Sequence, residues 1–239
     1  IDLDTRAKQL ATFALLLKAC QKDAAFVDAH CMPNVLTMPK PWNEETQGPI
    51  QDMLHIYFQG EATNEQKEEI ASCFDLMQDA DSHGSIMKFD ISGSTRLLIK
   101  QTTDYWGSQE IVPEEVRTQM TAFKLILALT EKYHALVMNP PYMGGGKMNS
   151  VLSKYVKDNY EEGKADLFSV FMFMGMERLA DGGKMAQINM QSWMYLSSFK
   201  SLRHIFLHNY AIDSMLHLGP RTFDELSGEV VQNTAFVLT

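Results

Sequence analysis

The sequence predicts an α/β protein, a mostly parallel sheet with an antiparallel terminal strand, interrupted by a mainly helical insertion. Three observations predict it. From Tyr133 onward, short apolar runs alternate with helical patterns, the order that gives parallel strands with right-handed crossovers. The last two runs, residues 212–218 and 230–238, are joined by a turn-rich stretch at 219–228, so they can pair antiparallel. Between the first apolar stretch and Tyr133 lie roughly 90 residues, too many for a plain connection and patterned for helices.

Each element has its own signal. Asp4 or Thr5 can cap a helix over residues 6–22, in which Leu10, Phe13, Ala14 and Leu17 recur at spacings of three and four. Asn34-Val35-Leu36 suggests a short strand, and Pro39 and Pro41 then stop regular structure. Residues 65–77 and 113–130 read as helices, residues 84–93 as turn-rich, and Tyr57 and Phe58 as packed. Residues 133–138 form a compact apolar strand in which His134 is expected to pack. There follow a helix over 166–179, a turn at Asp181-Gly182-Gly183, a strand over 184–189 and a helix over 199–208. The chain thus divides into residues 1–36, an insertion at 37–130, and residues 131–239.

Composition narrows the class. Hydrophobic residues at 45% and charged residues at 21% are ordinary for a globular protein. No apolar run reaches the ~18 residues of a membrane span, so no membrane partner is expected. The start, Ile1-Asp2-Leu3-Asp4, is acidic where a signal peptide is basic, which points to the cytoplasm; lacking Met, it reads as the cut end of a longer chain. Cys20, Cys31 and Cys73 have no C-x-x-C spacing, so reduced thiols are expected and no metal site. The net charge of −9 weighs against nucleic acid unless basic residues gather on one face. Lys147, Lys154, Lys157 and Lys164 do gather, although a solvated helix face accounts for them equally well.

The chemistry-bearing motif is Asn139-Pro140-Pro141-Tyr142, directly after the strand. Functional loops of open α/β sheets lie at the carboxyl ends of strands. Two prolines fix φ and remove two donors, leaving a rigid turn that presents acceptors. An exocyclic amine of a base needs such a turn, because its lone pair is delocalised into the ring. The Asn139 side-chain oxygen and the Pro140 carbonyl can hold its two hydrogens and turn the lone pair towards a methyl donor. Tyr142 offers a flat ring to a base taken out of the duplex. A plain proline turn with an incidental tyrosine is the bland alternative.

Residues 135–142 resemble motif IV of the amino-methyltransferases, (Asn/Asp)-Pro-Pro-(Tyr/Phe). Residues 1–7 resemble the end of that family's second strand, with Asp2 at the position of the acid that holds the cofactor ribose. Residues 166–179 resemble its motif V helix, 184–193 its fifth strand, and 228–238 its terminal strand pair. The wording around Asn139, the long insertion, and Glu229-Val230-Val231-Gln232-Asn233-Thr234-Ala235-Phe236 are most similar to the large adenine methyltransferases of bacterial phage defence, BREX-type and type II-like restriction–modification enzymes.

The resemblance implies a partial Rossmann-like methyltransferase fold that methylates the N6 amino group of adenine. It implies S-adenosyl-L-methionine as cofactor, double-stranded DNA with a flipped adenine as partner, and other defence-system subunits as further partners. Asn139, Pro140, Pro141 and Tyr142 are the implied catalytic residues; Asp2, Asp166 and Phe168 are the implied cofactor contacts. Helix capping and core packing account for Asp166 and Phe168 equally well. The family's glycine-rich loop precedes its ribose acid and is not seen upstream of Ile1, so weak cofactor binding is expected of this chain alone. Gly144-Gly145-Gly146-Lys147 fails the P-loop pattern, since Met148 follows the lysine, and reads as a flexible loop near the substrate. The same tetrapeptide also serves methylation of RNA and of protein glutamine, and a non-catalytic binding module of a defence complex is a further alternative.

Overall fold

Contacts divide the chain after Thr130 into two units, residues 1–130 and 131–239. The computed structural model describes residues 1, 5–28, 31–219 and 232–239.

The first unit is helical. Helix α1 spans Thr5–Lys22, but the expected apolar stripe is not buried, with Leu10 70% and Phe13 63% exposed. A 3-10 turn at Ala24–Val27 follows, capped by Asp23. The strand expected at Asn34-Val35-Leu36 does not form. Pro33, Pro39 and Pro41 bracket it and remove the donors a ladder needs, so Leu36 is buried on irregular chain instead. Then come α2 (Glu44–Gln47), α3 (Ile50–Tyr57), α4 (Asn64–Leu76), α5 (Ala80–His83), α6 (Gly93–Ser108) and α7 (Glu114–Thr130).

Caps explain several of these starts. Asn43 caps α2, and Thr63 with Gln66 forms a reciprocal capping box on α4. Ser92 caps α6, accepting from the Thr95 amide at 3.2 Å. Helix α6 opens on Gly93-Ser94-Thr95, which hides it from a propensity reading. Packing makes it, through buried Thr95, Ile99 and Thr103. The unit's core is aromatic: Tyr57 stacks on Phe123 with ring centroids 4.0 Å apart, and Phe58 and Phe74 meet Phe123 edge-on. The Tyr57 hydroxyl shares a hydrogen bond with Thr103 at 2.9 Å, and the Trp106 indole donates to the Tyr57 carbonyl at 2.8 Å.

The second unit holds β1 (Tyr133–Met138), α8 (Ser150–Asn159), α9 (Leu167–Glu177), β2 (Leu179–Met190), α10 (Lys200–Asn209), β3 (Ile212–Gly219) and β4 (Asn233–Leu238). The sheet order is β1-β2-β4-β3. Strands β1 and β2 pair in parallel, with Met138 level with Gln187. Strand β4 lies between β2 and β3, antiparallel to both. Three strands therefore run one way and the terminal strand runs against them, as the sequence predicts.

Strand β2 starts earlier than expected and swallows the Asp181-Gly182-Gly183 turn as a bulge. The register jumps from Tyr133↔Leu179 to Ala135↔Lys184. Gly182 has φ of 70°, and a Cβ on Gly183 would lie 2.8 Å from the Tyr133 carbonyl oxygen, so both positions require glycine. Buried Phe168, Met172, Met185, Trp193, Phe206 and Phe236 fill the core. Part of the sheet is uncovered, with Val137 83% and Leu216 63% exposed. His134, expected to pack, is exposed as well. Neighbours in a strand point to opposite faces, so an apolar run does not bury every member.

Candidate active site

Strand β1 ends at Met138, and residues 139–142 leave its carboxyl edge without regular structure. Asn139 is exposed, Pro140 buried, Pro141 exposed and Tyr142 half-buried. The turn is held from the far side. The Met143 amide donates to the Asp166 carboxylate at 3.0 Å, and the Leu167 amide donates to the Met143 carbonyl at 2.9 Å. Gly144 and Asp166 form an antiparallel bridge, and the Gly145 amide donates to the Ala165 carbonyl at 3.0 Å.

A Cβ on Gly145 would sit 2.6 Å from the Lys164 carbonyl oxygen. The glycine run expected as a flexible loop is therefore a close backbone contact that pins the Asn139–Tyr142 turn to the start of α9. Asp166 does two things at once: it ties down Met143 and caps α9 through the Phe168 amide at 3.2 Å. Burial pushes its carboxyl above the ordinary value of 3.8, although three backbone amides and Lys147 pull the other way.

Phe168 is wholly buried. Its ring meets Tyr142 edge-on at 6.3 Å and Phe199 at 5.3 Å, and its carbonyl accepts from the Gln187 side-chain Nε2 at 3.1 Å. The ring has no exposed surface to offer a cofactor. The Tyr142 hydroxyl is buried with no hydrogen-bond partner among the described residues. Burial, and then the nearby Asp166, push its phenol above the ordinary range, so it stays neutral. What Tyr142 can present is its ring.

The structure thus brings Asp166 and Phe168 against the Asn139–Tyr142 turn, while Asp2 lies outside the described residues. Sequence reading missed a buried polar line behind the site. Thr234 donates to Asn189 at 3.2 Å, Asn189 to the Met172 sulfur at 3.4 Å, and the Trp193 indole to Thr234 at 3.3 Å. Its available signal was Gln187 and Asn189 at alternate positions of an apolar strand, the spacing of one buried face.

Charge is divided unevenly. Residues 1–130 carry 11 Lys and Arg against 19 Asp and Glu; residues 131–239 carry 10 against 11. Lys147, Lys154, Lys157 and Lys164 are exposed, and Lys164 pairs with Glu161. Helix α8 buries Leu152 and Val156 on its other side. Among the described residues no cluster of His, Cys, Asp and Glu could hold a metal, and no helix is long and apolar enough to cross a membrane.

Comparison with known proteins gives a family and two curated relatives. The model of the Eco57I restriction-modification methylase family matches residues 1–223. Adenine-specific methyltransferase BrxX of Escherichia coli O9:H4 (strain HS) is 31% identical over all of this chain and 21% of its own length. Adenine-specific methyltransferase PglX of Lacticaseibacillus casei (strain Zhang) is 32% identical over all of this chain and 20% of its own. The chain spans about a fifth of the length of these relatives. A solved structure from Listeria monocytogenes, described as a class I S-adenosylmethionine-dependent methyltransferase, aligns with a TM-score of 0.36 at 11% identity. It covers 82% of this chain and 67% of its own.

Proposed function

Because this chain belongs to the Eco57I restriction-modification methylase family, we propose that its protein methylates the exocyclic N6 amino group of adenine in DNA, within a bacterial restriction–modification or phage-defence system. One observation carries the chemistry. An exposed Asn139 leaves the carboxyl end of β1 on a turn made rigid by two prolines and pinned by Asp166.

Asn139 and Pro140 supply two acceptors for the two hydrogens of the amine. The nitrogen then becomes more tetrahedral, and its lone pair is freed from the ring. As the new N–C bond forms, positive charge grows on the nitrogen, so the same two hydrogen bonds strengthen in the transition state. Pro140 is itself buried, and a hydrogen bond shielded from solvent counts for more than in water. The surplus amino proton passes to solvent afterwards. S-adenosyl-L-methionine would supply the methyl group from its sulfonium sulfur, the C–S bond breaking as the N–C bond forms and the sulfur leaving as a neutral thioether.

The residues present fit that cofactor. Asp166 is a half-buried carboxyl beside the turn and can accept from its amino or hydroxyl groups, and Asp2 is proposed for its ribose. Phe168 serves by holding Tyr142 and α9 in place. The partner proposed is double-stranded DNA with the target adenine rotated out and stacked on the Tyr142 ring, together with other subunits of the defence system.

The test is methyl transfer by the full-length protein to duplex DNA, RNA and protein in parallel, with the Asn139→Ala variant alongside. N6-methyladenine in duplex DNA, absent with the variant, is expected. Transfer to RNA or to glutamine instead, or a variant as active as wild type, overturns the proposal.

A further inference from the structure

We propose that residues 191–199, the loop leaving the carboxyl end of β2, form a DNA wedge in which Tyr195 and Leu196 fill the gap left by the extruded adenine. The wedge rests on the adenine-methylation reading above and assigns a second substrate-contacting element to the same edge of the sheet.

Strand β2 runs beside β1 and continues past it. Gln187 is level with Met138, and β2 extends to Met190, roughly 10 Å beyond the start of the catalytic turn. The chain then turns through a 3-10 segment at Gln191–Met194. Trp193 and Phe199 are buried, while Tyr195 and Leu196 between them are 67% and 53% exposed. Two large apolar side chains thus stand out of a loop whose flanks are anchored in the core.

The loop is also preorganised. One Arg203 guanidinium nitrogen donates to both the Trp193 and Leu196 carbonyls, each at 2.7 Å. The amides of Tyr195 and Leu196 both donate to the Ser192 carbonyl, at 3.1 and 3.0 Å. The Gln191 amide donates to the Gln232 carbonyl at 2.8 Å. A clamp of this kind meets the ordering cost before any partner arrives.

Its position is tied to the catalytic turn by rings. Phe199, the far anchor of the loop, packs on Phe168, which packs on Tyr142. The loop that carries the exposed pair is therefore anchored, through Phe199, on the same ring that supports Tyr142. Extruding a base leaves an apolar gap in the stack, and apolar side chains inserted there offset the unstacking. Tyr195 has a flat ring to stack on the neighbouring base, and Leu196 has the bulk to hold the gap open. Lys200, exposed directly after the loop, can meet the backbone phosphate.

The experiment uses the full-length protein, a duplex carrying its methylation site, and the same duplex with an abasic site opposite the target adenine. The second duplex needs little work to release the base. Tyr195→Ala/Leu196→Ala should lower kcat/KM on the intact duplex by about tenfold or more and recover on the abasic duplex. The fluorescence rise of 2-aminopurine at the target position should fall in parallel, and Tyr195→Phe should stay near wild type. A double variant as active as wild type on the intact duplex overturns the wedge and leaves the methylation reading standing. An equal loss on both duplexes makes the pair merely structural and also overturns it. A wild-type protein inactive on both removes the methylation reading and the wedge with it.

Discussion

Residues 1–130 and residues 131–239 spend their apolar surface differently. In the helical unit Tyr57, Phe58, Phe74 and Phe123 close on one another, and little else is asked of them. In the sheet unit Trp193, Phe206 and Phe236 close on one another, while Phe199 and Phe168 lead outwards to the half-buried Tyr142. Charge divides along the same boundary. The acidic excess lies in the helical unit, and the unit with the Asn139–Tyr142 turn is nearly balanced. The whole-chain charge of −9 is therefore a poor guide to whether the sheet unit can approach DNA. The comparison teaches that packing alone explains the first unit, whereas in the second the core is also the support of an exposed edge.

The largest effect should come from the helical core. Phe123→Ala removes a wholly buried ring in contact with three others and should cost about 3–5 kcal/mol. Hydrogen exchange should show lost protection over residues 50–130 and little change in β2 and β4. Equal loss in both units would break the comparison by making them one cooperative block.

Asn139→Ala should leave the fold intact and lower kcat for methyl transfer by about 10²–10³-fold, the usual loss for one transition-state hydrogen bond. A change confined to KM would mean that Asn139 only binds.

A pair of glycine variants separates backbone contact from loop freedom. Gly145→Ala forces a Cβ against the Lys164 carbonyl and should cost about 1–3 kcal/mol, with a fall in kcat because Met143 and the turn move together. Gly146→Ala meets nothing within 4 Å and should be silent. Thermal melts and turnover, measured side by side, check both.

Tyr142→Phe deletes a buried hydroxyl that has no partner, so stability should be unchanged or higher by up to about 1 kcal/mol, with activity kept. Tyr142→Ala should lose the stacking surface, about 1–3 kcal/mol of base contact. Equal losses in the two variants would show that the hydroxyl acts.

The smallest effect concerns Asp166. Its folded-state pKa lies above the ordinary 3.8, so between 3.8 and the raised value the unfolded chain ionises first. Stability from this group is therefore greatest below that window and declines as pH rises through it. Denaturant midpoints of wild type should show the decline, and Asp166→Asn should flatten it. A wild-type midpoint that rises with pH in the same window, steeper than in the variant, would contradict the sign.

What the sequence determined by itself was local. The apolar run and its two prolines specify β1 and the turn after it, because strand spacing and fixed φ act within a few residues. Helical periodicity located α1, α4 and α7 within a residue or two at each end. The antiparallel terminal strand was legible too, since a turn-rich link joins the last two runs.

Tertiary structure decided the rest. Nothing local says that the stripe of α1 stays exposed, that β4 slots between β2 and β3, or that Phe168 is wholly buried. Gly145 looked like freedom in the sequence and is a contact in the fold, because its requirement comes from a carbonyl 19 residues further along the chain. Tyr195 and Leu196 carry no signal in the sequence; their exposure is seen only in the fold, where Arg203 clamps the Trp193 and Leu196 carbonyls. Periodicity reports which residues share a face. Which face is covered, and by what, depends on groups distant in sequence, and only packing brings those together.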